Sequence, residues 1–211
     1  MKVSKTLILT PLIVIIFICS CSNKKSSADE TKIVMKNDKP RSKKDTTLIK
    51  NVPIINIADT VAMPLTFLCI KDSAINGERL GQKLNSIYKQ KLAEAIRKNK
   101  LNVLGAPVAW YKTQKAPFFF LAGIAVDKKP GKLPKGITFK KTEQSRIIVA
   151  HYYGPYTETN MAYQALKDWM VENKKTQNGE PYEVYMDEPL DKDGNPVDPY
   201  KVQTDIIIPY H

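Results

Sequence analysis

Apolar residues change their spacing several times along this chain, and each change marks an element. Leu80, Leu84, Ile87, Leu92, Ala95 and Ile96 recur at roughly helical intervals, which predicts a helix closed by Asn99-Lys100. Thr66 to Lys71 ahead of it reads as a strand. Val108 to Lys112 and Phe118 to Val126 after it read as two more, joined by a turn at Thr113-Gln114-Lys115. The same order then recurs as strand Arg146 to Tyr153, a Gly154-Pro155 break, helix Glu158 to Lys174, and strands Tyr182 to Asp187 and Thr204 to Pro209. The predicted fold is α+β. Two strand-helix-strand-strand modules, about residues 60–130 and 140–211, form an antiparallel sheet or cup around a central ligand pocket, with the helices outside.

The modules match in detail. Gly105-Ala106-Pro107-Val108-Ala109-Trp110-Tyr111 and Gly179-Glu180-Pro181-Tyr182-Glu183-Val184-Tyr185 both read G-x-P-x-x-x-Y, 74 residues apart. The same offset carries Leu92 onto Leu166, Ile96 onto Met170 and Asn99 onto Asn173, so an internal repeat is expected. Ala109 stands where the second copy has Glu183, which makes the expected pocket chemically lopsided.

The amino terminus has a different pattern. After Lys2 and Lys5, Leu7 to Ile18 is apolar except for Thr10 and Pro11, too short to span a bilayer and suited to a signal-peptide core. Ile18-Cys19-Ser20-Cys21 follows and resembles the lipobox of bacterial lipoproteins, with Cys19 where a smaller residue is usual. The resemblance implies a signal peptide over residues 1–20, acylation of Cys21, and anchoring in the cell envelope outside the cytoplasm. Residues 21–50 are lysine-rich, with few aliphatics and no aromatics, and read as a flexible tether that lifts a domain of residues 51–211 off the membrane.

Charge and cysteine content narrow the function. The chain of 211 residues carries 33 Lys+Arg against 21 Asp+Glu, a net charge of +12. Much of the excess lies before residue 51, and the remainder looks like a mild, dispersed surplus. No nucleic-acid-binding motif accompanies it, so no nucleic-acid partner is expected. Cys69, left alone in an apolar stretch, reads as a buried inert thiol. Asp191-x-Asp193-x-Asn195 opens like a calcium loop, but Pro196 replaces the required glycine and Val202 the closing acid, so a polar turn is the better reading. With His151 and the terminal His211 as the only histidines, no metal site and no cofactor are expected.

Three stretches carry a family resemblance: Gly154-Pro155-Tyr156, Pro181-Tyr182-Glu183-Val184-Tyr185, and Thr204-Asp205-Ile206-Ile207-Ile208-Pro209-Tyr210. Over about residues 60–211 the chain resembles the gyrase-inhibitor-like small-molecule-binding domain, also known as the effector-binding domain of multidrug-sensing and AraC-type transcription regulators. That family often has Glu where this chain has Asp205. The resemblance implies a small organic ligand, aromatic and cationic, with Glu183 as counter-charge. Strand alternation places Glu183 and Tyr185 on one face and Tyr182 and Val184 on the other. Trp110, Tyr111, Phe118, Phe120, Tyr152, Tyr153, Tyr156 and Asp205 are the other candidate wall residues, the rings supplying area and cation–π attraction. Trp169 reads as helix packing. Two alternatives remain open. Some stand-alone relatives resemble cyclopropanoid hydrolases, in which Glu183 would act as general base and Tyr185 or Tyr152 as hydrogen-bond donor. Haem binding is the weaker alternative, with His151 as its one candidate axial ligand.

Overall fold

A computed structural model describes residues 51–211. The expected signal segment, Cys21 and the expected tether of residues 21–50 lie outside the described residues. Eight strands form one antiparallel sheet: β1 (Ile54–Ala62), β2 (Thr66–Ala74), β3 (Val108–Tyr111), β4 (Phe118–Val126), β5 (Thr138–Lys141), β6 (Ser145–Tyr153), β7 (Tyr182–Tyr185) and β8 (Gln203–Tyr210). Their order across the sheet is β1-β6-β8-β7-β3-β4-β2-β5. β2, β3 and β4 with β5 make one half of the sheet and β6, β7 and β8 with β1 the other, joined where β3 meets β7.

The predicted helices are present, with local differences. The first runs through α1 (Gly77–Ser86), a π-helical stretch (Ile87–Leu92) and α2 (Ala93–Lys98). A π turn accommodates one residue more than an α turn, and this one carries Tyr88. The second helix, α3 (Asn160–Glu172), is shorter than the predicted span, because a short 3-10 turn (Tyr156–Glu158) precedes it. Both helices end alike. The Asn99 and Asn173 side chains donate back to Ala95 O and Trp169 O, and Lys100 and Lys174 follow in the left-handed region at φ 50° and 53°.

Two strands escape the hydrophobic pattern. β1 is a half-exposed edge strand and β5 is a four-residue edge strand, so neither carries a clean apolar face. Each pairs with the module it does not lead into. β1 precedes β2 but pairs with β6, whereas β5 precedes β6 but pairs with β2.

Both helices pack on one face of the sheet. Leu84, Ile87, Leu92 and Ile96 meet Leu68, Ile70, Phe120 and Ile124; Ala162, Leu166 and Met170 meet Ile148, Ala150, Ile206 and Ile208. Phe67, Cys69, Val108, Trp110 and Ala125 form a buried cluster on the opposite face, and Ile147, Val149 and Ile207 form another. Gly123 is needed there: a Cβ would approach Cys69 Sγ to 3.0 Å and Trp110 Cζ3 to 3.1 Å. Cys69 is fully buried and its thiol is pushed up to about 12 by burial, as its apolar surroundings predict. In the β7–β8 connection Asp191 accepts hydrogen bonds from the backbone N–H groups of Asp193 and Asn195, which makes the segment a polar turn.

β1 clasps the second module through its backbone ladder and through Asp59, which accepts from Tyr210 at 2.6 Å and from Arg146 at 2.8 Å. A chain beginning at Asn51 should therefore melt with the full-length protein. One beginning at Pro64 should melt lower by about 10 °C or more, because it loses a nine-residue ladder. Equal melting temperatures for the two truncated chains would show that β1 contributes nothing.

Candidate functional site

The site lies where the two halves meet. The β3–β7 register places Ala109 directly opposite Glu183, and Val108 opposite Val184. The Glu183 side chain rises on the helix-bearing face, and Ala109 opposite it contributes only a methyl group. Each helix sends one tyrosine toward this pair. Tyr88, from the π-helical stretch, donates to Val108 O at 2.6 Å, and Tyr163, from α3, donates to Glu183 Oε1 at 3.1 Å. Tyr185, two residues along β7, donates to Glu183 Oε2 at 3.1 Å, and its oxygen lies 2.6 Å from that of Tyr111. Tyr185 has one proton and gives it to the carboxylate, so Tyr111 is the donor of the pair. The result is a chain from Tyr111 to Tyr185 to Glu183, closed from the other side by Tyr163.

Glu183 is 7% exposed. Burial raises its carboxyl from 4.5 to about 7, against the opposing effect of the two tyrosine hydrogen bonds. Among the described residues no lysine or arginine forms an ion pair with it. Burial and the neighbouring Glu183 charge also push the Tyr111, Tyr163 and Tyr185 hydroxyls upward, keeping them protonated donors.

Aromatic rings fill the space around the carboxylate. Tyr185 meets Tyr88 at 6.2 Å and Tyr156 at 6.0 Å between ring centroids, while Tyr111 meets Phe120 at 6.2 Å and Phe118 at 6.5 Å. Tyr156 stands at the surface, 43% exposed. Gly154 positions it: a Cβ there would come within 2.6 Å of the Tyr152 hydroxyl, which folds back to donate to Pro155 O at 2.8 Å. The Gly154-Pro155-Tyr156 stretch is thus a corner braced by Tyr152 that holds Tyr156 over the site.

Of the residues expected to line the pocket, Glu183, Tyr185, Tyr111, Phe118, Phe120 and Tyr156 come together. Four others lie elsewhere. Trp110 is on the opposite face, packed on Phe67 at 5.1 Å and Tyr182 at 5.6 Å, because it alternates with Ala109 and Tyr111 along β3. Tyr153 and Asp205 are also on that face: Tyr153 donates to Gln203 Oε1, and Asp205 is bound by His151 Nδ1 and Gln203 Nε2, both at 2.8 Å. Tyr152 is fully buried in the core of the second half and its hydroxyl is committed to Pro155. The same alternation sets His151 away from Glu183, which removes the one axial ligand named for haem from this site.

Tyr88 and Tyr163 were not among the sequence candidates. Their signal was present, since each lies three or four residues before a core leucine, Leu92 or Leu166, and a tyrosine on a buried helix face needs a partner for its hydroxyl.

The fold is an α+β cup with an acid and tyrosines at its centre, and its class is that of small-molecule-binding domains. The chain belongs to the GyrI-like small molecule binding domain family, whose model matches residues 64–211. Among solved structures, the C-terminal domain of EcmrR is similar, with TM-score 0.63 and 16% identity over 75% of this chain and 98% of that one. EcmrR in complex with DNA is also similar (TM-score 0.61, 16% identity, 74% of this chain and 57% of that one). So is a hydrolase from Listeria innocua (TM-score 0.52, 11% identity, 74% and 91%). No curated protein sequence matches the chain.

The raised acid makes stability depend on pH. Between pH 4.5 and about 7 the folded chain holds a proton on Glu183 that the unfolded chain has released, so stability falls as pH rises through that window. Glu183→Gln removes this titration, and the Tyr185 hydroxyl can turn to accept from the amide. The variant should match the wild type near about pH 4 and exceed it above pH 7 by up to about 3 kcal/mol. Denaturant melts across the range test this, and parallel pH profiles would contradict it.

Proposed function

We propose that this protein binds flat, aromatic organic cations at Glu183, on the outer side of a membrane to which Cys21 anchors it. The observation that carries the binding reading is a buried carboxylate with phenol donors and, among the described residues, no cation paired to it. An organic cation supplies the missing charge, and the surrounding rings supply apolar area and cation–π attraction. The ligand reaches Glu183 by displacing the Tyr156 and Tyr185 rings, Tyr156 being the one already at the surface. The same reading treats the halves as copies of one unit, supported by the mirrored strand order and the matching helix ends. One copy holds the acid and the other Ala109, which leaves a single counter-charge for a single ligand.

Binding to the ionised acid links affinity to pH. Affinity for N-methylacridinium should rise about tenfold per pH unit up to about 7 and level off above it. Neutral acridine, measured above pH 7, should bind Glu183→Gln and wild type alike, whereas the cation should lose about 10- to 100-fold on the variant. Equal loss for both compounds would show that Glu183 is not a counter-charge.

Hydrolysis of a reactive electrophile is the second reading, favoured by the Glu183 carboxyl at about 7, where a general base works best at neutral pH. Under it, Glu183→Gln leaves substrate binding nearly intact and lowers turnover by about 10²- to 10⁴-fold. Paired binding and turnover assays on that one variant separate the readings.

The anchor rests on the Ile18-Cys19-Ser20-Cys21 sequence and the apolar run before it. Cys21→Ser should abolish acyl labelling and release the protein from membranes. Membrane retention of an unlabelled variant would overturn lipidation as the anchor.

A further inference from the structure

Residues 51–211 look only mildly basic in sum, yet the fold separates two opposed charges. Residues 87–141 carry thirteen lysines and arginines against two acids, whereas residues 142–211 carry six against twelve. The two segments occupy different halves of the sheet, so the first half is a cationic body and the second an anionic one. The expectation of a dispersed surplus therefore fails, because opposite charges cancel along the chain and do not cancel in space.

The cationic side has a defined centre. Lys91 and Lys98 from the first helix and Lys135 from the β4–β5 connection rim a cleft floored by Ile70, Ala95 and Ile137. Glu94 lines the same cleft and is matched by Lys98 at 2.6 Å. The other acid, Asp127, is occupied by the Asn102 backbone and side chain. An exposed apolar tip follows the first helix along the chain. Val103 and Leu104 are each 52% exposed, and the tip is fastened to the end of β4 by the Val103–Val126 bridge and by Leu104 N–H donating to Ala125 O. Lys100 precedes the tip in the chain, and Lys128 lies two residues beyond the end of the strand to which it is fastened.

We infer that this face docks on an anionic phospholipid surface, with the lysines over the headgroups and Val103-Leu104 dipping among them. Twelve of the thirteen cations are lysines, compact charges suited to a diffuse anionic surface more than to the bidentate phosphate contacts of arginine. Exposed aliphatic residues amid cations are favourable at a bilayer interface and gain nothing from a free phosphate or a nucleic-acid backbone. The anionic second half is repelled from the same surface, which orients the molecule. This surface is separate from the Glu183 site and holds whatever that site binds.

The test is lysine acetylation footprinting of the full chain reconstituted into vesicles, either phosphatidylcholine alone or phosphatidylcholine mixed with phosphatidylglycerol. Lys91, Lys98, Lys128 and Lys135 should react about tenfold more slowly on the anionic vesicles, with the protection lost at high salt, while Lys167 and Lys192 in the other half stay reactive. Leu104→Ser should weaken the protection of these lysines without altering the fold, read by circular dichroism. Lys91→Gln with Lys135→Gln gives a second variant, in which protection of Lys98 and Lys128 should fall. Equal protection on both vesicle types points to a second copy of the chain and overturns the proposal. So does equal protection by inorganic phosphate alone, or protection that the Leu104 change leaves intact.

Discussion

Burial of one carboxylate at the join between two halves of a sheet is the constraint on which this site depends. Glu183 stands opposite Ala109 on the pair of strands that, among the described residues, joins the two halves of the sheet. Its tyrosine partners come from α3, β7 and, through Tyr185, from β3. Phenols stabilise the ionised form without neutralising it. The acid consequently stays poised between its two protonation states near neutrality, which a salt bridge to lysine or arginine would prevent.

The order of the elements was legible because the apolar spacing changes cleanly between strand and helix, and because the two modules repeat those changes. The offset between G-x-P-x-x-x-Y stretches even joins two residues that touch, since Tyr111 and Tyr185 share a hydrogen bond. The edge strands were not legible. β1 and β5 bury little, so their sequences show no alternation strong enough to mark them, and their pairing with the opposite module is a tertiary choice.

At the site, strand alternation was sufficient to place Glu183 and Tyr185 together, and applied equally to β3 it would have placed Trp110 on the far face. The aromatic content of the sequence pulled Trp110, Tyr152 and Tyr153 into the pocket, although their rings serve packing or their hydroxyls serve local hydrogen bonds. Asp205 was carried in by its motif and proves to be tied to His151 and Gln203. The helix tyrosines could be found only by asking what a buried hydroxyl would bond to.

The exchange of leading strands has a consequence for the order in which the molecule can assemble. β1 is the first of the described strands to leave the ribosome, yet its ladder partner β6 lies on the other side of the whole first module, and Asp59 meets Tyr210 across 151 residues. The first module in turn waits for β5, which is made only after β4. Neither half can be finished before synthesis has passed into the other, so the halves mature together, and the join that holds Glu183 closes around a nearly complete chain.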